Sequence, residues 1–216
     1  MIHPALRPAV TSLAIAAVLV TAAAGGMAAA ARTALCAPGA ELRANSTAGA
    51  HIPFRDGPPA RVTGGFGEDS CYACHWDGAE NDEAGSLTVD DFPDRYEAGA
   101  VYDLEVAVAH PNLEVAGFQL AVRRAEDGAQ AGRLQVGVGE EDRVRILTDR
   151  EIDFAHHLLP GIEPSGGNAA RWGVRWMAPE VPDGAVLLHV SAVAGDGDDS
   201  QMGDAVYTIE LESRPR

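Results

Sequence analysis

One run in the chain has residue types and spacing that demand particular chemistry, Cys71-Tyr72-Ala73-Cys74-His75. C-x-x-C-H is the attachment signature for c-type haem. Two thiols three positions apart can add to the two haem vinyl groups as thioethers, and the histidine that follows can offer its imidazole to the iron. On this reading Cys71 and Cys74 carry a covalent haem c and His75 is the proximal iron ligand. Two plainer readings stand beside it. Cys71 and Cys74 could close a tight disulfide with His75 incidental, or form half of a zinc site. Zinc needs two more soft ligands, and the chain has one other cysteine, Cys36.

A c-type iron often takes a second axial ligand, usually His or Met. The candidates are His51, His110, His156, His157, His189, Met177 and Met202. In a strand His156 and His157 point to opposite faces, so at most one of them faces a haem. Met177 sits at a hydrophobic strand end and fits a core position, while His110, ahead of Pro111, fits a turn. Arg61 is a candidate partner for a haem propionate. Asp196, Asp198, Asp199 and Asp204 form an acidic loop that has some features of a calcium site but lacks the full twelve-residue pattern, so a solvated turn is the better reading. There is no G-x-S-x-G, H-E-x-x-H or phosphate-binding glycine loop, and no pair of carboxylates singles itself out as acid and base. Nothing marks the chain as an enzyme.

Covalent haem attachment takes place outside the cytoplasm, so the N-terminus matters. Residues 1–7 are short and mildly basic, residues 9–24 are apolar, and 25–32 are small residues suited to an A-x-A cleavage site. This is the pattern of a secretory signal peptide over residues 1–31. The rival is an uncleaved anchor, because the apolar run is long enough to span a bilayer. The protein is thus expected in the periplasm or outside the cell, with membrane association only through such an anchor. Residues 32–59, rich in Gly, Pro, Ala, Asn and Ser, fit a linker or flexible arm, and residues 60–216 form one domain large enough for a real core.

The formal charge is −16, and all sixteen basic residues are arginine. An acidic exported domain repels nucleic acid and anionic membrane surfaces, which argues against a nucleic-acid partner. Beyond Ser86 short alternating runs appear at 86–89, 101–108, 115–122, 133–138, 143–147, 170–176, 185–193 and 205–211. Turn chemistry such as Glu126-Asp127-Gly128 and Pro182-Asp183-Gly184 separates them. Eight short strands without a helical period predict an all-β, antiparallel sandwich with the C-x-x-C-H segment laid against it.

From about Gly57 to Leu211 the chain resembles the bacterial Reeler-like (reelin-domain-like) proteins of the choice-of-anchor V type. The pieces that carry the resemblance are Gly57-Pro58-Pro59 with Cys71–His75, Tyr96-Glu97-Ala98-Gly99-Ala100-Val101-Tyr102 and Ala116-Gly117-Phe118-Gln119-Leu120. Phe154 to His157, Trp172-Gly173-Val174-Arg175-Trp176-Met177-Ala178-Pro179 and Gly203-Asp204-Ala205-Val206-Tyr207 complete them. Ala98 replaces the family's proline, and the chain shows no C-terminal sorting tail. The resemblance implies an immunoglobulin-like sandwich on an exported protein. It also places a histidine near Phe154, which ranks His157 first as distal ligand with its neighbour His156 as the alternative. The expected function is an exported mono-haem c-type protein, serving one-electron transfer to an unidentified redox partner or haem-based redox or ligand sensing in the cell envelope. The alternative is a non-haem adhesion or matrix module with a structural C-x-x-C disulfide.

Overall fold

The computed structural model describes residues 54–216, so the expected signal peptide and most of the expected linker lie outside the described residues. Ten strands build two sheets. They are β1 (Ser86–Asp90), β2 (Arg95–Tyr96), β3 (Val101–Ala109), β4 (Val115–Arg124), β5 (Arg133–Val136), β6 (Val144–Asp149), β7 (Ile152–His157), β8 (Ala169–Met177), β9 (Val186–Gly195) and β10 (Ala205–Pro215). One sheet has the order β1-β3-β8-β5 and the other β2-β10-β9-β4-β7-β6. Every named pairing is antiparallel except the short β2–β10 contact. The expected sandwich is present. Sequence alternation misses β2 and β7, the latter because Ile152-Asp153-Phe154-Ala155-His156-His157 is buried at every position and offers no polar face to count.

The sheets meet over inward side chains. Leu104, Val106 and Val108 from β3 and Trp172, Val174 and Trp176 from β8 face Phe118, Leu120 and Val122 from β4 and Leu188, Val190 and Ala192 from β9. Phe118 stacks on Trp172 with centroids 4.6 Å apart. Both buried indoles are satisfied, Trp172 Nε1 donating to the Gly161 carbonyl at 2.7 Å and Trp176 Nε1 to that of Ala131 at 2.9 Å. A buried indole N–H without an acceptor would cost about 1–3 kcal/mol.

The two sheets differ on their outer faces. β8 alternates between buried and less buried positions, and its outer Arg171 and Arg175 pair with Glu105 and Asp103 of β3 in solvent. β4 is buried along nearly its whole length, because residues 54–76 run across the outer face of the larger sheet as a strap. The fit depends on close approach. A side chain at Gly57 would strike the His156 ring at 2.1 Å, and one at Gly65 would strike the His189 ring at 2.3 Å. The packing of this strap extends back at least to Gly57. No helix among the described residues is long and apolar enough to cross a membrane.

Candidate functional site

The strap delivers the Cys71–His75 run to one end of the larger sheet. Cys71 to Ala73 form a single 3-10 turn, capped by the Ser70 side chain, which accepts from the Tyr72 N–H at 3.2 Å. The Cys71 N–H donates to Ser191 Oγ on β9 at 3.0 Å. His75 Nδ1 bonds to the buried carboxylate of Asp204, at the start of β10. The motif is thus fixed at both ends to the central strands.

Beneath it lies a cavity of about 480 Å³, within the size range of small-molecule sites. Its floor is the outer face of two adjacent strand ends. Val115 pairs with Gly195 and Gly117 with Val193, so two of the four outward positions carry no side chain. The His157 ring occupies the space over Gly117, where an added Cβ would lie 2.5 Å from it, and Val115 and Asp204 crowd Gly195 in the same way. Pro58, Pro59 and Val62 of the strap form one wall, and Cys71, Cys74, His75 and Trp76 form another. The loop Gly197 to Met202 and the Phe54-Arg55 pair face each other across the mouth, where Arg55 lies 3.9 Å from Asp199. Phe54, Trp76 and Met202, all markedly exposed, ring this same opening.

The chemistry of the two cysteines differs. Cys71 is a free thiol, and burial pushes its pKa up from 9.0 to about 11. Cys74 is disulfide-bonded. The pair therefore does not close the expected Cys71–Cys74 disulfide, and it does not present the two thiols that two thioether bonds to a haem require.

The histidine geometry points the same way. The Phe118 N–H donates to His157 Nδ1 at 3.0 Å, which ties that ring nitrogen to the backbone of β4. Burial holds His157 neutral, with its pKa lowered from 6.5 to about 4. His156 turns to the opposite side, its Nδ1 donating to the His157 carbonyl at 2.8 Å, and burial lowers its pKa too. Among the described residues, no group of three or more His, Cys, Asp or Glu side chains could hold a metal ion. With no such metal site among the described residues, the expectation of a metal-binding, cytochrome-like electron-transfer protein is corrected.

The other candidates are scattered. His189 packs under Phe66 and bonds to Glu210 at 2.7 Å. His110 Nδ1 accepts from the Asn112 N–H within a turn. Met177 ends β8, and His51 lies outside the described residues. Arg61 is committed to Asp149 at 2.6 Å and Glu68 at 3.0 Å rather than to any ligand group. The acidic loop closes on itself, Asp196 and Asp198 accepting from the N–H groups of Asp198 and Ser200. A larger cleft of about 600 Å³ includes Arg61, Arg124, Asp127 and Asp183. Its Arg124 is already paired with Asp127 and Asp183, so it is the less suited to hold a ligand.

Sequence reasoning missed the floor residues Val115, Gly117, Val193 and Gly195, and also the bond between Asp204 and His75. The available signal was Gly117 inside a strand pattern, which marks close approach of another group.

No protein-family model matches the chain, and no curated protein matches it. Among solved structures it is similar to the human F-spondin reeler domain, at 21% identity and a TM-score of 0.44 over 65% of this chain and 96% of that one. The Reelin-N domain of F-spondin gives 21% identity and a TM-score of 0.45 over 68% and 95%. A cohesin module from a Clostridium perfringens family 33 glycoside hydrolase gives 11% identity and 0.38 over 61% and 96%. The likeness is one of fold.

Proposed function

We propose that the protein is an exported, non-enzymatic binding module whose ligand site is the cavity beneath the Cys71–Trp76 segment. Export is supported by the signal-like pattern of residues 1–31. The observation that carries the binding reading is the floor. The strap arches over two adjacent strand ends and leaves about 480 Å³ lined mostly by apolar groups. An apolar molecule entering such a space gains free energy in proportion to the apolar surface it removes from water, roughly 25 cal/mol per Å². The few polar groups, among them His75, Asp204, Ser70 and Arg55, would fix its orientation.

Nothing in the arrangement supplies a nucleophile beside a base. The Cys71 thiol is held protonated by its burial, and His75 is engaged with Asp204. The chain's own residues therefore bind, orient and exclude water, and no bond-making step is needed to describe them.

The test fills the cavity from its floor. Val193→Trp places an indole where the ligand would lie, at a position whose partner across the strand is Gly117. Binding of an environment-sensitive aromatic dye should fall at least about tenfold, with far-ultraviolet circular dichroism and the denaturation midpoint close to the parent's. Equal dye binding by the variant and the parent would overturn the proposal.

A further inference from the structure

We infer that the Cys74 disulfide joins Cys36, and that Cys71 is placed to take over from Cys36 in it, so that the cavity wall holds an internal thiol–disulfide exchange site. The pairing follows by count. The chain has three cysteines. Cys71 is a free thiol and Cys74 is disulfide-bonded, which leaves Cys36, itself outside the described residues. The exchange follows from the turn. Cys71 to Ala73 form a 3-10 turn, and the Cys74 N–H donates to the Cys71 carbonyl at 3.2 Å. Residues three apart eclipse in such a turn. That sets the Cys71 thiol on the same side as the Cys74 sulfur, and both cysteines line the cavity.

The step balances without an outside oxidant or reductant. The Cys71 thiolate attacks Cys74 Sγ, and the Cys71–Cys74 bond forms as the Cys74–Cys36 bond breaks. Cys36 leaves as a thiolate and takes up the proton that Cys71 gave up. One disulfide is present before and after, and what changes is the tether, since Cys36 is held to the wall before the exchange and released by it. The resting pair is guarded by burial, which outweighs the hydrogen bond with Ser191, is reinforced by the charge of Glu80, and holds the Cys71 thiol at about 11. The other ionisable groups lining the cavity are engaged, His75 with Asp204, Arg55 with Asp199 and His157 with the Phe118 backbone. No base stands beside the thiol. Because the thiolate is the attacking species, exchange is slow at neutral pH and quickens as pH rises.

The experiment keeps the full chain free of reductant, incubates it between pH 7 and pH 9, quenches it in acid, blocks free thiols with a maleimide and maps the tryptic peptides. At neutral pH the peptide of residues 33–43, which carries Cys36, should be linked to that of residues 62–95, with the maleimide on Cys71. At higher pH the linked pair should give way to a 62–95 peptide with an internal disulfide and a maleimide-labelled Cys36. The rate should rise about tenfold for each pH unit, as the thiolate fraction does, while far-ultraviolet circular dichroism stays unchanged. Cys71→Ser should keep the linkage at every pH. A neutral-pH linkage of Cys74 to any residue but Cys36 would overturn the pairing. A parent chain that never forms the internal disulfide, or a Cys71→Ser chain that loses the linkage as fast as the parent, would overturn the exchange. Neither result bears on what the cavity binds.

Discussion

Gln119, in the middle of β4, and Val62, in the strap, are joined by a fully buried hydrogen bond, the Val62 N–H donating to Gln119 Oε1 at 2.8 Å. The same side chain donates through Nε2 to the Pro59 carbonyl at 2.9 Å. One amide thus serves both sides of the strap and stands in for the strand pairing the strap lacks. It also fixes the wall of the cavity formed by Pro59 and Val62.

Gln119→Leu keeps the volume and removes both bonds. The Val62 N–H and Pro59 carbonyl would be left buried and unsatisfied, at about 1–3 kcal/mol for each group left without a partner. Chemical denaturation should show a lower midpoint, and hydrogen exchange should quicken at Val62 before the inner strands. An unchanged midpoint would mean that the strap is not held through this residue.

A second anchor is ionic. Glu68, on the strap, accepts from Arg123 of β4 and from Arg61, and its other oxygen accepts from Thr63 Oγ1 at 3.1 Å. Arg123 is 3% exposed, lies over the Phe154 ring at 5.2 Å, and has its Nε without a hydrogen-bond partner. Glu68→Ala would leave a buried guanidinium uncompensated, a loss of about 3–5 kcal/mol. Replacing both residues by apolar ones should recover much of that loss in denaturation midpoints, whereas additive losses would contradict the account.

The buried neutral His157 makes stability depend on pH. Its folded pKa of about 4 lies below the ordinary 6.5, so the unfolded chain binds more protons between these values and stability falls as pH drops from 6.5 towards 4. A shift of this size corresponds to about 3 kcal/mol at its full extent. Unfolding free energies measured across that window should decline less steeply in His157→Gln than in the parent. Parallel curves would show that His157 does not carry the acid sensitivity.

Cys71 gives the opposite limb. Its pKa rises from 9.0 to about 11 on burial, so the folded chain holds the proton more tightly and stability falls as pH rises through that range. Without reductant, alkylation followed by peptide mapping should label Cys71 slowly in the folded protein and rapidly after denaturation. Cys74 should be found in a disulfide-linked peptide, and alkylated Cys74 would contradict the assignment.

Much of the sandwich was legible because sheet faces that meet solvent leave a period of two. β3 and β8 carry it, as in the run from Ala170 to Trp176. β7 was not legible, since the strap and the inner core bury both of its faces. The Cys71–His75 run lines the cavity. Residue types alone could not report that the Cys71 thiol is free while Cys74 is in a disulfide, or that the His157 ring is tied to the Phe118 backbone. The cavity floor was hidden because only the β4–β9 register brings Val115, Gly117, Val193 and Gly195 together.

The most direct test is the intact mass of the protein, exported by a host with c-type haem maturation and measured in native and then denaturing conditions. The account predicts that the denatured chain has the mass of the bare polypeptide, and that anything held in the cavity is lost on unfolding. A haem-sized increment that survives denaturation and disappears in Cys71→Ala/Cys74→Ala would contradict it.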